Sequence, residues 1–170
     1  MDKTLVAHRR AGRRVRDGFR LGGLEGGQVW ANNGRAVFYP NPRGSTNYGG
    51  DMTAWVITQT SRFKAAMVGA GLPNAKTLPL SLGRSAMSHI DKVTTPTLIL
   101  DGAQDERVPV GQAQELYRGL KDRGKATELV FYPREGHGFT EYYHQQDRMQ
   151  RIYDWVTKYT LGAPDKTIEQ

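Results

Sequence analysis

Two stretches of this 170-residue chain carry side chains that could work together as an acid and a base. Asp101-Gly-Ala-Gln-Asp105-Glu-Arg-Val-Pro109 follows one apolar run, and Pro133-Arg-Glu-Gly-His137-Gly-Phe139 follows another. Asp105 and His137 stand 32 residues apart. A carboxylate that accepts the Nδ1 proton of a histidine fixes its tautomer and leaves Nε2 free as a general base. Gly136 and Gly138 flank His137, which lets the backbone turn and keeps the imidazole accessible. Taken singly, an aspartate in a turn is ordinarily a turn former, and a lone histidine is ordinarily a surface residue. An acid and a histidine at two successive strand ends favour the acid–base reading.

A third stretch raises the question of a nucleophile. Arg43-Gly-Ser-Thr-Asn-Tyr-Gly-Gly-Asp-Met-Thr53 joins a strand-like segment to a helix-like one, a kind of junction at which many hydrolases place a reactive serine. The position that fits a nucleophile here is Asn47. Asparagine is a poor nucleophile because its amide lone pair is delocalised, yet it tolerates the left-handed backbone that such a turn demands. Ser45 is the nearby hydroxyl, with Thr46, that could stand in for it.

The elements that must position these residues are legible from periodicity. Ala36-Val-Phe-Tyr39 reads as a strand stopped by Pro40-Asn-Pro42. Residues 52–60 suit a short helix, although Val56, Ile57 and Thr58 also suit a strand. Phe63 to Val68 is an apolar run closed by Gly69 and Gly71. Thr97-Leu-Ile-Leu100 reads as a buried strand. Residues 110–123 space Ala113, Leu116, Tyr117 and Leu120 as a helix that Gly124 closes. Glu128 to Tyr132 is the next strand, and residues 141–160 place Met149, Ile152, Tyr153, Val156 and Tyr159 on one helical face. Strand–helix–strand–helix order implies an α/β fold with a parallel sheet. In such a sheet the loops after the strand C-termini gather function, and a single helix between the two strands sets the Asp105 and His137 loops side by side.

Composition narrows the classes. Hydrophobic residues make up 38% and charged residues 24%, which fits a globular chain with one core. No apolar run approaches the ~18 residues of a membrane span. Without cysteine there is neither disulfide nor thiol chemistry, and the expected location is the cytoplasm. The four histidines, His8, His89, His137 and His144, lack metal-ligand spacing, so no metal is expected. The net charge of +7 is uneven: residues 1–20 hold seven basic side chains against two acids, and the other 150 residues hold 17 against 15. An arginine-rich end can grip phosphates or an anionic surface. With no aromatic residue interleaved for base stacking, the plainer reading is a solvated, poorly ordered arm, and a nucleic-acid partner is not expected.

The motifs together resemble the prolyl oligopeptidase family of serine peptidases, of the acylaminoacyl-peptidase and dipeptidyl-peptidase types. The resemblance rests on Val37-Phe-Tyr-Pro-Asn-Pro-Arg-Gly-Ser-Thr46, Tyr48-Gly-Gly50, Met52 to Thr60, Arg62-Phe-Lys-Ala-Ala66, Pro96 to Leu100, Asp105-Glu-Arg-Val-Pro109 and Tyr132-Pro-Arg-Glu-Gly-His-Gly138, in the family's order across residues 27–160. It implies an α/β-hydrolase-like domain over 25–162, with a mostly parallel sheet flanked by helices, between a basic arm at 1–24 and a tail at 163–170. It implies Asp105 as triad acid, His137 as triad base, a short peptide as substrate, acylation of a serine followed by hydrolysis, and no cofactor.

The chain also departs from the pattern. Aligned on Tyr48-Gly49-Gly50, the nucleophile slot is Asn47, and Arg43-Gly-Ser-Thr46 belongs to a motif that lies well upstream in the family. A helix and the serine-bearing strand are skipped between them, and a βαβ unit takes ~30 residues or more. A second shortening falls between Asn74 and Arg84, and the His-Gly-Gly-Pro oxyanion loop is absent. The resemblance therefore implies a domain with strands missing and impaired chemistry. Edges left open by the missing strands would favour homo-oligomerisation. A non-catalytic remnant, a partner-binding domain and a basic-arm binder are the alternatives.

Overall fold

The alternation of side chains along three strands explains the layers of this protein. The computed structural model describes residues 3–6, 36–37, 49–74 and 85–160. Strand β3 (Ala66–Gly69), strand β4 (Thr97–Gly102) and strand β5 (Thr127–Tyr132) pair in parallel. Because successive side chains point to opposite faces, Ala66, Val68 and Ile99 join one apolar cluster, while Met67, Leu98 and Leu100 join another. On β5, Leu129 and Phe131 pack with the first cluster, and Val130 and Tyr132 with the second.

Each face is covered by helices. On the first lie helix α1 (Gly49–Gln59), a 3-10 helix (Ala86–Lys92) and helix α2 (Gly111–Lys121). Ala54 and Ile57 of α1, Ile90 of the 3-10 helix and Ala113, Leu116 and Leu120 of α2 are buried there. On the second face helix α3 (Tyr142–Thr160) buries Ile152, Trp155 and Val156. Each large aliphatic side chain so buried contributes about 1.5–3 kcal/mol relative to exposure. The result is a three-layer sandwich with the parallel sheet in the middle, as the strand–helix alternation implied.

The sheet order is β2-β1-β3-β4-β5, where strand β1 is Lys3–Val6 and strand β2 is Ala36–Val37. All pairings are parallel. Lys3–Val6 belong to the basic stretch read as an arm, and their backbone pairs with β2 on one side and β3 on the other. That register runs for two residues on each side of β1, against four between β3 and β4 and six between β4 and β5. The sheet is thus most extensively laddered under the loops that carry Asp105 and His137. The remainder of residues 1–24 and the tail at 163–170 lie outside the described residues.

Three details refine the sequence reading. Residues 52–60 had two readings, and the chain takes the helical one: Ala54 and Ile57 meet β3 at three-residue spacing, and the Thr58 hydroxyl donates to the Trp55 carbonyl at 2.6 Å. Helix α2 ends as Gly124 predicts, with Gly124 at φ 66°, its N–H donating to Lys121 and the Lys125 N–H to Leu120, a Schellman closure. Helix α3 is turned relative to the predicted stripe. Arg148 and Trp155 are buried in it while Tyr153 is 38% exposed, so the seam runs through 148, 152, 155, 156 and 159. Trp155 was missed because its indole N–H reaches out of the helix to the Pro96 carbonyl at 3.4 Å, a contact no local pattern reveals.

Candidate active site

The acid is held by its own loop. β4 ends at Gly102, and the chain folds back so that the Asp105 N–H donates to the Gly102 carbonyl at 3.2 Å. One carboxylate oxygen of Asp105 then accepts the N–H groups of Arg107 at 2.8 Å and Val108 at 2.9 Å, the side chain closing the turn in the way short acidic side chains do. The other oxygen lies 2.6 Å from His137 Nδ1. A carboxylate only accepts, so this contact places the proton on Nδ1 and leaves Nε2 as the basic nitrogen. Neither side chain is open to water: Asp105 is 0% and His137 8% exposed.

The base is held differently. β5 runs into Tyr132-Pro133-Arg134-Glu135, a turn in which proline precedes a residue at φ 65°, Arg134. The glycines that flank His137 are not the left-handed residues of this loop; that backbone conformation falls on Arg134. The loop backbone leans directly on the end of β4. Gln104 N–H donates to the Glu135 carbonyl at 2.8 Å, Ala103 N–H to the Tyr132 carbonyl at 2.9 Å, and a Cβ at Gly102 would come within 2.1 Å of the Gly136 carbonyl oxygen. Gly102, which the motif reading passed over, is therefore the glycine that lets the two loops touch. Farther along, Phe139 packs its ring 4.7 Å from that of Tyr132, under the Arg148 guanidinium, and the Tyr132 hydroxyl donates to Asp147 at 2.9 Å.

Three further carboxyls surround the pair. Asp101 points to the same face as Ile99 from the end of β4 and is 1% exposed. One of its oxygens accepts the Gly102 N–H, and the other is buried without a partner. Burial, and next the negative charge of Asp105, push its pKa up to about 7 against the pull of that N–H. Asp51, in the first turn of α1, accepts the Leu72 N–H. Burial raises its pKa, and the Leu72 bond and, last, the nearby His137 oppose the rise. Glu135 is 1% exposed and accepts from Thr140, Glu141 and His144. All three acids fall within the motif stretches of the sequence, and no role follows from their positions there. The signal available was their type, since carboxylates flanked by apolar strands and glycines must find partners or hold protons.

Among the described residues Glu135, Glu141 and His144 offer ligand atoms within 4.8 Å of one another. Both Glu135 oxygens already accept backbone N–H groups, and both Glu141 oxygens accept from Arg134. The cluster is internally satisfied and presents no open donor set. Of the predicted site residues, Asp105 and His137 are brought together. Asn47 and Ser45 lie outside the described residues.

Comparison with known proteins bears on this geometry. The sequence profile of the prolyl oligopeptidase family matches residues 80–162, which include Asp105 and His137. The chain is 32% identical over 129 residues to the uncharacterized peptidase YuxL of Bacillus subtilis, covering 62% of this chain and 20% of that one. It is 40% identical over 76 residues to acylamino-acid-releasing enzyme 1 of rice, Oryza sativa subsp. japonica, covering 45% of this chain and 10% of that one. The chain thus spans a fifth or less of the length of these relatives. Among solved structures, a puromycin-hydrolyzing peptidase of Mycobacterium tuberculosis superposes with a TM-score of 0.66 over 84% of this chain and 25% of that one, at 22% identity. Uncomplexed acylaminoacyl peptidase of Pyrococcus horikoshii gives 0.60 over 79% and 25%, also at 22% identity, and both likenesses speak to the fold alone. Over residues 80–162, this α/β chain matches the prolyl oligopeptidase family and is similar to its members.

Proposed function

We propose that the Asp105–His137 pair is the acid–base half of a serine-peptidase site acting on short peptides, and that Asn47 in the nucleophile slot leaves this site impaired. The observation that carries the reading is the buried 2.6 Å contact between His137 Nδ1 and Asp105, which orients the imidazole and frees Nε2 to take a proton. With a serine opposite it, Nε2 would accept the hydroxyl proton during attack on a peptide carbonyl and return it to the leaving amine. The acyl group would then pass to water. The family match over the segment that holds both residues supports this assignment. No step in this chemistry calls for a cofactor.

A fluorophosphonate probe tests the proposal. The unaltered chain is expected to label weakly or not at all. Asn47→Ser is expected to gain labelling, and His137→Ala to remove that gain. Labelling of the unaltered chain that Ser45→Ala abolishes would reassign the nucleophile to Ser45. An Asn47→Ser variant that folds and stays unlabelled at high probe excess would sink the triad reading. It would leave the second one, a non-catalytic domain that keeps the acid–base pair as structure, which Asn47 itself favours.

A further inference from the structure

The acid side chain of Asp105 closes its own turn, and the histidine loop is closed by a side chain that precedes it. The group that closes the histidine loop is the Glu135 carboxylate. One of its oxygens accepts the Thr140 N–H at 2.8 Å and the Thr140 hydroxyl at 3.2 Å; the other accepts the Glu141 N–H at 2.8 Å and His144 Nδ1–H at 3.1 Å. Glu141 immediately precedes α3, so its N–H is among the donors that a helix start leaves unsatisfied, and Thr140 is the residue before it. Glu135 therefore caps α3 from a residue that precedes the helix by seven positions, and the cap spans His137. The main chain of Glu135 is fixed at the same time by the Gln104 N–H on the Asp105 loop. One residue thus ties together the Asp105 loop, the His137 loop and the first turn of α3. Burial alone would raise the Glu135 carboxyl, but the Thr140 and Glu141 N–H groups, His144 and the Thr140 hydroxyl outweigh it and hold the group ionised, as a cap on a helix dipole requires.

We propose that Glu135 is a positioning residue for His137: its carboxylate closes the 135–141 segment into a rigid ring and so fixes the imidazole against Asp105. The ring bears on His137 because the residue lies within it, between Glu135 and Thr140, and meets Asp105 from that segment. The proposal deepens the assignment of Asp105 and His137 as an acid–base pair and rests on that pair existing. It does not require turnover.

The test reads the imidazole itself. In the unaltered chain the His137 Nδ1 proton should give a strongly deshielded, slowly exchanging proton resonance, identified by its loss in His137→Asn. Glu135→Gln keeps the shape but turns an NH2 group toward backbone donors. It should accelerate exchange of that proton with water about tenfold or broaden the signal away, as one to two lost hydrogen bonds imply. Trp155 fluorescence, reporting the packing of α3 on the sheet beyond its capped first turn, should stay unchanged. A folded Glu135→Gln protein whose His137 proton exchanges at the original rate overturns the proposal. Should Glu135→Gln fail to fold, Thr140→Val, at an exposed position, removes only the hydroxyl bond. It should accelerate the same exchange about threefold, and an unchanged rate overturns the proposal equally. Arg134→Ala, which breaks the exposed ion pair of the same loop, should leave the His137 signal intact. If it perturbs the signal as much as Glu135→Gln does, the positioning role does not belong to Glu135. Absence of probe labelling alters none of these outcomes, so failure of the peptidase reading and failure of this one are distinguishable.

Discussion

The acid and the base of this site are held by opposite means. Asp105 accepts from Arg107 and Val108, two and three residues away, so its loop is a local device that any short Asp-containing turn can form. His137 sits in a loop closed by Glu135 onto the start of α3 and by Arg134 onto Glu141, six and seven residues away, and it leans on the backbone of the Asp105 loop. Local hydrogen bonds survive changes elsewhere because their partners are covalently near. A loop closed from a distance inherits every disturbance of the elements that close it. The acid should therefore be the robust half of the pair and the base the fragile half.

The largest test of that contrast is Gly102→Ala, because it strikes where the two loops touch. The added methyl would meet the Gly136 and Glu135 carbonyl oxygens at 2.1 and 2.4 Å, backbone atoms that cannot turn aside. Denaturant unfolding should show a loss of about 3 kcal/mol, the upper range for overpacking, and the His137 Nδ1 signal should disappear while the β4 ladder persists. A tolerated methyl with an intact signal would show that the loops are not held in register by this contact.

Asp105 variants sharpen the comparison from the other side. Asp105→Ala leaves the Arg107 and Val108 N–H groups without their acceptor and should cost about 2 kcal/mol in the same assay. Asp105→Asn keeps that acceptor and should cost less than half as much, yet it loses the carboxylate that orients His137. Equal losses for the two would mean that the local turn contributes nothing and the pair carries all the stability.

Asp101 predicts a pH dependence with a definite sign. Its folded pKa is raised to about 7 from 3.8, so the folded chain holds a proton that the unfolded chain has released. The stability this group contributes is present below its unfolded pKa and is lost as pH rises through its folded one, between about pH 4 and pH 7. Asp101→Asn should flatten that decline and leave the variant more stable above pH 7, by roughly 1.5 kcal/mol once its own buried amide is counted. Parallel pH–stability curves for the two proteins would contradict the buried, protonated state.

The smallest effect is expected at Arg134. Glycine there would relieve the left-handed backbone at φ 65° but give up the exposed ion pair with Glu141. The two changes oppose each other, and the thermal midpoint should not move. A large loss would mean that the Arg134 pair, rather than Glu135, closes the histidine loop.

Much of this was legible in the chain. Short apolar runs bounded by turn residues placed β4 and β5, and a period of three to four placed α2 and α3, because a strand buried on both faces is apolar throughout while a helix on a sheet repeats its apolar residues at that spacing. The order of those elements put Asp105 and His137 on neighbouring strand ends before any contact was known. The reading faltered where one local pattern served two structures, as with Val56-Ile57-Thr58, or where a polar group reached beyond its own turn, as with Trp155 and Pro96. The glycines beside His137 drew attention by proximity, whereas the one that matters, Gly102, is defined by a backbone 34 residues away.

The sequence by itself determined the α/β order, the family motif and the local turn of Asp105, since each depends on residues within a few positions of one another. Only the tertiary structure decided that His137 Nδ1 meets Asp105 at 2.6 Å, that Asp101 is buried with an unpartnered oxygen, and that the Glu135 carboxylate bonds the residues leading into α3. Those facts depend on which backbones touch across the sheet end. A hydrogen bond or a buried charge takes its energy from the partner and the solvent it is left with, and a one-dimensional pattern specifies neither.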